Sequence, residues 1–259
     1  MNVLVCVKRV PATGSRIGLT DDARHIDTTH LGFTVSPHEE CAVEEAVRLV
    51  EAHGGTSVVL TLGPEAAVEQ LQDALAIGIE RGVLREAGDA LAWDAAGVAD
   101  AIVEAVRAEE AAEGGTAFDV LLFGNEAADS GDYQVAVRVA HALGLPCVTG
   151  VKSVVAGGDT LTARREVAGG AEVFEVALPA VLSVKEGINL PRFASVPGRI
   201  KAKKKEIARR SPVAPAPVVE TIRLRVPPEQ RSDVQVLGRG PDAAPAVVDL
   251  LQQLGVVAR

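Results

Sequence analysis

The chain has 259 residues, enough for one large α/β core or for a main domain with an appendage. Its formal net charge of −9 argues against a nucleic-acid partner, because surfaces that bind nucleic acid are basic. No apolar run approaches the roughly 20 residues of a membrane span, and the opening run is too short for a secretory signal, so we expect a cytoplasmic chain without membrane insertion. Three widely separated cysteines give neither a disulfide framework nor metal-site spacing.

The first half of the chain alternates short β-branched runs with longer stretches of helical period. This alternation predicts a doubly wound, mostly parallel α/β sheet with helices on both faces. The predicted strands are residues 3–7, Ser57–Gly63, 82–85, Val120–Gly124 and 147–155. The predicted helices are residues 36–53, 65–77, 94–110 and 133–143, and the first of them follows a long loop over residues 11–31.

The helix that begins at Ser36 has the strongest start signal. Ser36 is a natural N-cap, Pro37 suits the first turn, and Glu39 completes a capping box. Glu44 and Arg48 stand four residues apart, which predicts an ion pair on the solvent-facing side of the helix.

The second half of the chain has a different character. Runs rich in β-formers at residues 151–155, Thr160–Val167 and 172–178 predict antiparallel strands added to the sheet. An apolar strand at residues 178–184 precedes an irregular surface loop over residues 185–200. From residue 211 a Pro-rich stretch predicts an extended arm that ends in an apolar helix near residues 243–254. We therefore expect an α/β domain over residues 1–210 and an arm over residues 211–259 that packs on another surface.

The polar segment from Gly124 to Val135 is the main candidate for a ligand site. It lies between an apolar strand and a helix, where open α/β sheets bind ligands. Its small residues let backbone N–H groups approach a phosphate, and the start of the helix adds a favourable partial charge. Asp129 and Asp132 could cap the helix, orient the loop or accept from a ribose hydroxyl. An ordinary Gly- and Asp-rich turn is the alternative interpretation.

Two other strand ends are expected at the same crevice. These are Cys6 after the first strand and Leu62 in the second, and the helix start at Ser36 lies beside them. No G-x-G-x-x-G, Walker A, H-E-x-x-H or G-x-S-x-G motif occurs, so we expect neither catalytic residues nor a metal site. Two alternative functions for a chain with such a site are an enzyme acting on nucleotides and a free-standing adenine-nucleotide-binding regulator of the universal-stress type.

A basic segment interrupts the otherwise acidic chain. Seven lysines and arginines lie within the twelve positions from Arg199 to Arg210. A solvated helix face is one interpretation, and a surface for a charged partner is the other. Few aromatic residues lie nearby, which disfavours a nucleic-acid site.

Several segments together resemble the electron transfer flavoprotein beta-subunit family, from residue 3 to about residue 207. They are VLVCVKRVP at residue 3, CAVEEAVRLVE at residue 41, ALAIGIERG at residue 74 and NLPRFASVPGRIKAKKK at residue 189. The last of these is the most specific to the family.

The resemblance implies a Rossmann-like adenine-nucleotide-binding subunit without an active site of its own. It implies a heterodimer with an alpha subunit that holds most contacts to a redox-active FAD, and electron transfer from client flavin dehydrogenases to a quinone oxidoreductase. For this chain it implies bound AMP or, as in electron-bifurcating relatives, a second FAD. The implied nucleotide contacts are Cys6, Ser36, Pro37, His38, Glu39, Leu62, Gly124, Asn125, Glu126, Ala127, Asp129, Ser130, Gly131, Asp132, Tyr133, Gln134 and Val135.

The resemblance also implies a recognition loop that docks on client dehydrogenases through an apolar tip. Its residues here are Ile188, Asn189, Leu190, Pro191 and Arg192. The nucleotide segment departs from the family pattern after Asp129, where the AMP-binding type carries several acids followed by Asn, Thr and Gly. The pair Gln134-Val135 leans towards the bifurcating type, and Tyr133 matches neither type. AMP, FAD and an empty pocket remain alternatives.

Overall fold

The computed structural model describes residues 1–12, 14, 16–88, 93–112, 114–115, 117–213, 219, 221–228 and 234–257. The chain divides into two units, residues 1–224 and residues 225–259. The sequence predicts a domain boundary after residue 210, and this boundary remains a prediction.

The first unit is an α/β structure. Its strands are β1 (Val3–Cys6), β2 (Val10–Pro11), β3 (Gly18–Leu19), β4 (Ile26–Asp27), β5 (Phe33–Thr34), β6 (Ser57–Gly63), β7 (Arg81–Glu86), β8 (Val120–Gly124), β9 (Cys147–Gly157), β10 (Thr160–Val167), β11 (Gly170–Ala177), β12 (Ala180–Val184) and β13 (Ile207–Arg210). Its helices are α1 (Pro37–His53), α2 (Val68–Ile77), α3 (Ala95–Ala111), α4 (Val135–Leu143) and α5 (Val196–Ala202), and a short 3-10 helix spans Glu65–Ala67.

The central sheet has the order β11-β10-β9-β12-β8-β1-β6-β7-β13. Neighbouring strands from β13 to β9 are parallel, whereas β10 pairs antiparallel with both β9 and β11. The chain runs outward from β1 through β6 to β7 and then returns to β8 on the other side of β1. This reversal makes a topological switch point between β1 and β8, and it confirms the predicted doubly wound sheet with added antiparallel strands.

The two faces of the sheet are covered by different helices. Val3 and Val5 belong to a core cluster with α1 and α2, whereas Leu4 and Cys6 belong to a second cluster with α3 and α4. This alternation follows from the two-residue period of a strand. All four side chains are buried, so β1 reads as a continuous apolar run, as expected of a parallel strand covered on both faces.

Three details differ from the sequence-based expectations. Helix α4 begins at Val135 rather than at residue 133, because Tyr133 and Gln134 form a turn before it. The stretch expected to be irregular to residue 200 contains α5, which is capped by the Ser195 side chain accepting from the Gly198 backbone. Glu44 was expected on the solvent-facing side of α1 but is 2% exposed, because a later loop covers it.

The end of the basic segment forms an edge strand that the sequence did not indicate. Ile207 in β13 pairs with Gly82 of β7, and the Arg209 guanidinium donates to both carboxylate oxygens of Glu65. Basic side chains are common on edge strands because they oppose pairing with another chain. The strand was missed because its partner β7 lies more than 100 residues earlier in the sequence.

The second unit contains a 3-10 helix, Gly240–Ala243, followed by α6 (Ala244–Gln253). The predicted C-terminal helix is thus present, and Val247 and Val248 are among its exposed apolar residues. Among the residues that the structure describes, no helix has both the length and the apolar character to cross a membrane.

A matched pair of valines tests where the core lies. Val181 on β12 is completely buried, whereas Val155 on β9 is 63% exposed. We expect Val181→Ala to lower the free energy of unfolding by about 2 kcal/mol, because it removes buried methyl groups and leaves a cavity. Val155→Ala should cost less than about 1 kcal/mol, the range of strand propensity alone. Urea denaturation of both variants measures the difference, and equal losses would contradict the assigned core.

Candidate functional site

A crevice opens at the switch point, at the carboxyl ends of β1, β6 and β8. The space between its walls is about 800 Å³ when the open solvent at the mouth is included. It is lined by Cys6, Val7, Lys8, Glu39, Leu60, Leu62, Trp93, Val98, Ile102, Phe123, Gly124, Asn125, Glu126, Ala127, Ser130, Asp132, Tyr133, Val135 and Ala136. The predicted convergence of the strand ends is therefore confirmed.

Glu39 anchors the start of α1 against the floor of the crevice. The backbone N–H of Ser36 donates to one of its carboxylate oxygens at 3.0 Å, and that of Lys8 donates to the other at 3.0 Å. The first contact belongs to the capping box that the sequence predicted, and the second joins α1 to the end of β1. Burial raises the pKa of Glu39 from 4.5 to about 8, and the hydrogen bonds from Ser36 and Lys8 act in the opposite direction.

Gly124 is required beside Glu39. A Cβ at this position would lie 2.6 Å from Glu39 Cγ and 3.1 Å from Glu39 N. The absence of a side chain thus lets the end of β8 and the start of α1 approach each other closely at the crevice.

The polar rim of the crevice carries more acidic than basic side chains. The Lys8 ammonium donates to Asp129 at 2.9 Å and to Ser130 Oγ at 3.3 Å. His38 Nε2 lies 3.3 Å from a carboxylate oxygen of Glu126. Lys8 is therefore held at the mouth of the crevice by the 124–135 segment.

The opposite wall is apolar. Leu60 and Phe123 contribute from the sheet, and Val98 and Ile102 contribute from α3. Trp93 lies just before α3 and completes this side. An apolar wall facing a polar rim can hold a flat heterocycle that carries hydroxyl groups, because the ring is desolvated while the hydroxyls find acceptors.

The structure brings together most of the predicted nucleotide contacts. Those that line the crevice are Cys6, Glu39, Leu62, Gly124, Asn125, Glu126, Ala127, Ser130, Asp132, Tyr133 and Val135. Those that do not line it are Ser36, Pro37, His38, Asp129, Gly131 and Gln134. Ser36, His38 and Asp129 instead contact residues that do line it, through Glu126 and Lys8. Nucleotide contact at all these positions remains a prediction.

Sequence reasoning missed Lys8 and the apolar wall. Lys8 is separated from the end of β1 only by Val7, so its position near the carboxyl end of a central strand was a usable signal. Ile102 and Val98 follow the helical period of α3, which shows that they face inward but not that they reach a crevice. Their approach to β6 and β8 depends on helix packing.

The second predicted region is the docking loop, which we define as residues 185–195 between β12 and α5. Ile188 is partly buried against the core cluster under α1 and α2, whereas Leu190 is 85% exposed and Phe193 is completely exposed. In the basic segment that follows, the Lys205 ammonium donates to the backbone oxygens of Leu75 and Ile79, and the charge of Arg209 is paired with the Glu65 carboxylate. Docking by this loop remains a prediction.

No group of three or more His, Cys, Asp or Glu side chains that could hold a metal ion occurs in the part of the chain that the structure describes. The Cys6 thiol at the crevice floor is buried, and burial together with the nearby Glu39 carboxylate raises its pKa. The side chains at this site offer hydrogen-bond acceptors, one ammonium group and an apolar wall, which are features of ligand binding.

Protonation of Glu39 should be visible in the pH dependence of stability. Because its pKa in the folded chain is raised above the ordinary value of 4.5, folding takes up a proton between that pH and about pH 8. The free energy of unfolding therefore falls as pH rises through this interval. We expect Glu39→Gln to remove this component, as measured by urea denaturation at several pH values from about 5 to about 8. Identical pH slopes for the variant and the wild type would contradict the assignment, and Glu175→Gln, on exposed β11, controls for the loss of one charge.

Comparisons with known proteins identify the family of the chain. The model of the electron transfer flavoprotein domain matches residues 24–215. The chain is 32% identical to the electron transfer flavoprotein subunit beta of Bacillus subtilis, with 97% of this chain and 98% of the relative covered. It is 35% identical to the protein of that name from Syntrophomonas wolfei, with 91% and 90% covered. For Bradyrhizobium diazoefficiens the identity is 32%, with 99% and 100% covered.

The matches to the Bacillus and Bradyrhizobium proteins extend over nearly the full length of this chain and of each relative. They therefore include the strands, helices and loops that build the crevice and the docking loop. The chain belongs to the electron transfer flavoprotein beta-subunit family.

Proposed function

We propose that the chain is the beta subunit of a heterodimeric electron transfer flavoprotein. Its alpha subunit carries the redox-active FAD, and the heterodimer takes electrons from client flavin dehydrogenases and passes them to a quinone oxidoreductase or another acceptor. This chain supplies binding surfaces and no catalytic residues, and it works in the cytoplasm. The observation that carries the proposal is the crevice at the β1/β8 switch point in a chain of this family.

The crevice is proposed to hold AMP or the adenosine part of a second FAD. The apolar wall around Ile102 and Phe123 suits an adenine ring, and the carboxylates of Glu126 and Asp132 can accept from ribose hydroxyls. The start of α4 and the Lys8 ammonium are the groups that favour a phosphate. These residues therefore fit an adenine nucleotide.

The charge balance at the rim restricts the kind of nucleotide. Among the described lining residues, the carboxylates of Glu126 and Asp132 lie beside one ammonium group, that of Lys8, which already pairs with Asp129. Repulsion between like charges disfavours a ligand with a long phosphate chain. This supports a monophosphate or a shielded diphosphate such as that of FAD over a nucleoside triphosphate.

The proposed partner also gives the C-terminal unit a role. Val247, Val248 and Leu254 are exposed apolar residues on or directly after α6. Apolar groups of this kind are commonly buried in obligate subunit interfaces. In the proposed heterodimer α6 packs on the alpha subunit.

Nucleotide stoichiometry tests the proposed function. The chain is co-expressed with its alpha-subunit candidate, the complex is purified and denatured, and every released nucleotide is quantified against protein concentration. One FAD and one AMP per heterodimer is the result expected of a conventional carrier, and two FAD indicate a bifurcating type. A stable chain that does not bind the alpha-subunit candidate and retains no nucleotide would refute the proposal.

Gly124→Ala tests whether the crevice is the nucleotide site. The added Cβ would collide with Glu39 and displace the start of α1, so we expect nucleotide retention to fall at least about tenfold and stability to fall by about 1–3 kcal/mol. Gly157→Ala is the matched control, because a Cβ there meets no atom within 4 Å. Unchanged nucleotide content in purified Gly124→Ala heterodimer would place the nucleotide elsewhere.

A further inference from the structure

The docking loop is held against α1 at both of its ends. Its first contact is at Glu186, whose backbone N–H donates to His38 Nδ1 at 2.9 Å. The ammonium group of Lys152, which lies on β9, donates to the Glu186 carbonyl oxygen. The loop is therefore fixed at its beginning by a side chain from the first turn of α1.

Arg192 fixes the other end of the loop, because its guanidinium donates to two carboxylates of α1. Its Nε donates to one oxygen of Glu44 at 2.9 Å, and its Nη2 donates to the other at 3.1 Å. Nη1 and Nη2 also donate to the two oxygens of Glu51 at 2.7 and 2.9 Å. Glu44 and Glu51 are seven residues apart and share one side of α1, so a single guanidinium spans two turns of the helix.

The carboxylate of Glu44 is nearly inaccessible to solvent. Burial alone would raise its pKa, but hydrogen bonds from Arg192 and Arg48 lower it below the ordinary range. The backbone N–H of Arg192 also donates to this carboxylate at 3.1 Å. Glu44 therefore stays ionised and holds both the side chain and the backbone of the loop.

Asn189 adds a third attachment in the middle of the loop. Its side-chain amide donates to the Cys41 carbonyl oxygen at 3.0 Å and to Glu45 at 2.9 Å. Burial raises the pKa of Glu45, and the hydrogen bond from Asn189 opposes this. Three loop residues are thus bound to side-chain or backbone atoms along α1.

The two exposed apolar side chains lie between and next to these attachments. Leu190 follows Asn189, and Phe193 follows Arg192. Each is exposed while its preceding neighbour is fastened to α1. A side chain presented on an ordered backbone loses less conformational entropy when a partner binds, so the attachments favour association without touching the partner.

We propose that Arg192 is a positioning residue that sets the affinity of the docking loop for a partner protein. By bridging Glu44 and Glu51 it orders residues 188–193 and presents Leu190 and Phe193 in one arrangement. A lysine cannot replace it, because an ammonium lacks the planar fork that reaches two carboxylates at once. This inference rests on the proposed function, in which the loop docks on client flavin dehydrogenases.

The test compares Arg192→Lys with wild type in the purified heterodimer. Hydrogen–deuterium exchange of residues 186–195 should be about tenfold faster in the variant, the change expected when a charged hydrogen bond is lost. In steady-state assays with a flavin dehydrogenase that reduces the wild-type heterodimer, KM for the heterodimer should rise about tenfold while kcat and nucleotide content stay unchanged. Arg48 still pairs with Glu44 in the variant, which protects the fold.

Arg165→Lys is the matched control. Arg165 pairs with Glu172 across the β10–β11 hairpin, away from the docking loop in the sheet order. It should change neither exchange in residues 186–195 nor KM. Glu51→Gln, which removes the negative charge and one of the two oxygens that accept from Arg192 at this position, should give an intermediate increase in both quantities.

Unchanged exchange in Arg192→Lys, or faster exchange with an unchanged KM, would overturn the proposal. A drop in kcat at constant KM would also overturn it, since that would assign Arg192 to the electron-transfer step. If the wild-type heterodimer accepts no electrons from any flavin dehydrogenase, the proposed function fails, and the docking role of Arg192 fails with it. In that case the exchange measurement still decides whether Arg192 orders the loop.

Discussion

The position of helix α1 is the constraint on which the rest of the structure depends. Its buried Glu39 accepts from the end of β1 and from its own N-cap, and Gly124 lets β8 approach the same point. The start of the helix thereby defines the floor of the crevice. A shift of the helix start would separate the strand end from the 124–135 segment and change the shape of the site.

The same helix serves a second region with a different part of its surface. Its first turn contacts the crevice segment through His38, and its middle and last turns carry the carboxylates that hold Arg192. Burial of Glu44 is tolerated because two arginines surround it, which offsets the desolvation of the charge. One well-packed helix thus orients both the proposed nucleotide site and the proposed docking surface.

The sequence predicted what depends on local signals and the strand pattern. The capping residues Ser36 and Glu39 and the apolar run of β8 gave the helix start, the parallel sheet and the location of the crevice. It did not predict contacts between distant residues, such as the burial of Glu44 by Arg192, which lies 148 positions later. The pairing of Ile207 with Gly82 was missed for the same reason, because a short basic stretch becomes a strand only when a neighbour supplies its hydrogen bonds.

The apolar wall of the crevice could not be predicted from the sequence pattern. The period of α3 predicts that Ile102 is buried, but whether a buried residue faces packed side chains or a cavity depends on the crossing of α3 over β6 and β8. Helix crossing angles are set by the whole interface rather than by the few residues near the crevice.

The buried Cys6 thiol has a consequence for the chemical durability of a protein in an electron-transfer family. Peroxides and electrophiles attack thiolates rather than thiols, and desolvation and the adjacent Glu39 keep Cys6 in the protonated form. The sulfur at the floor of the crevice therefore resists conversion to sulfenic acid. In the proposed heterodimer, where reduced flavin generates reactive oxygen species, a protonated Cys6 thus helps to keep the proposed nucleotide site intact through repeated turnover.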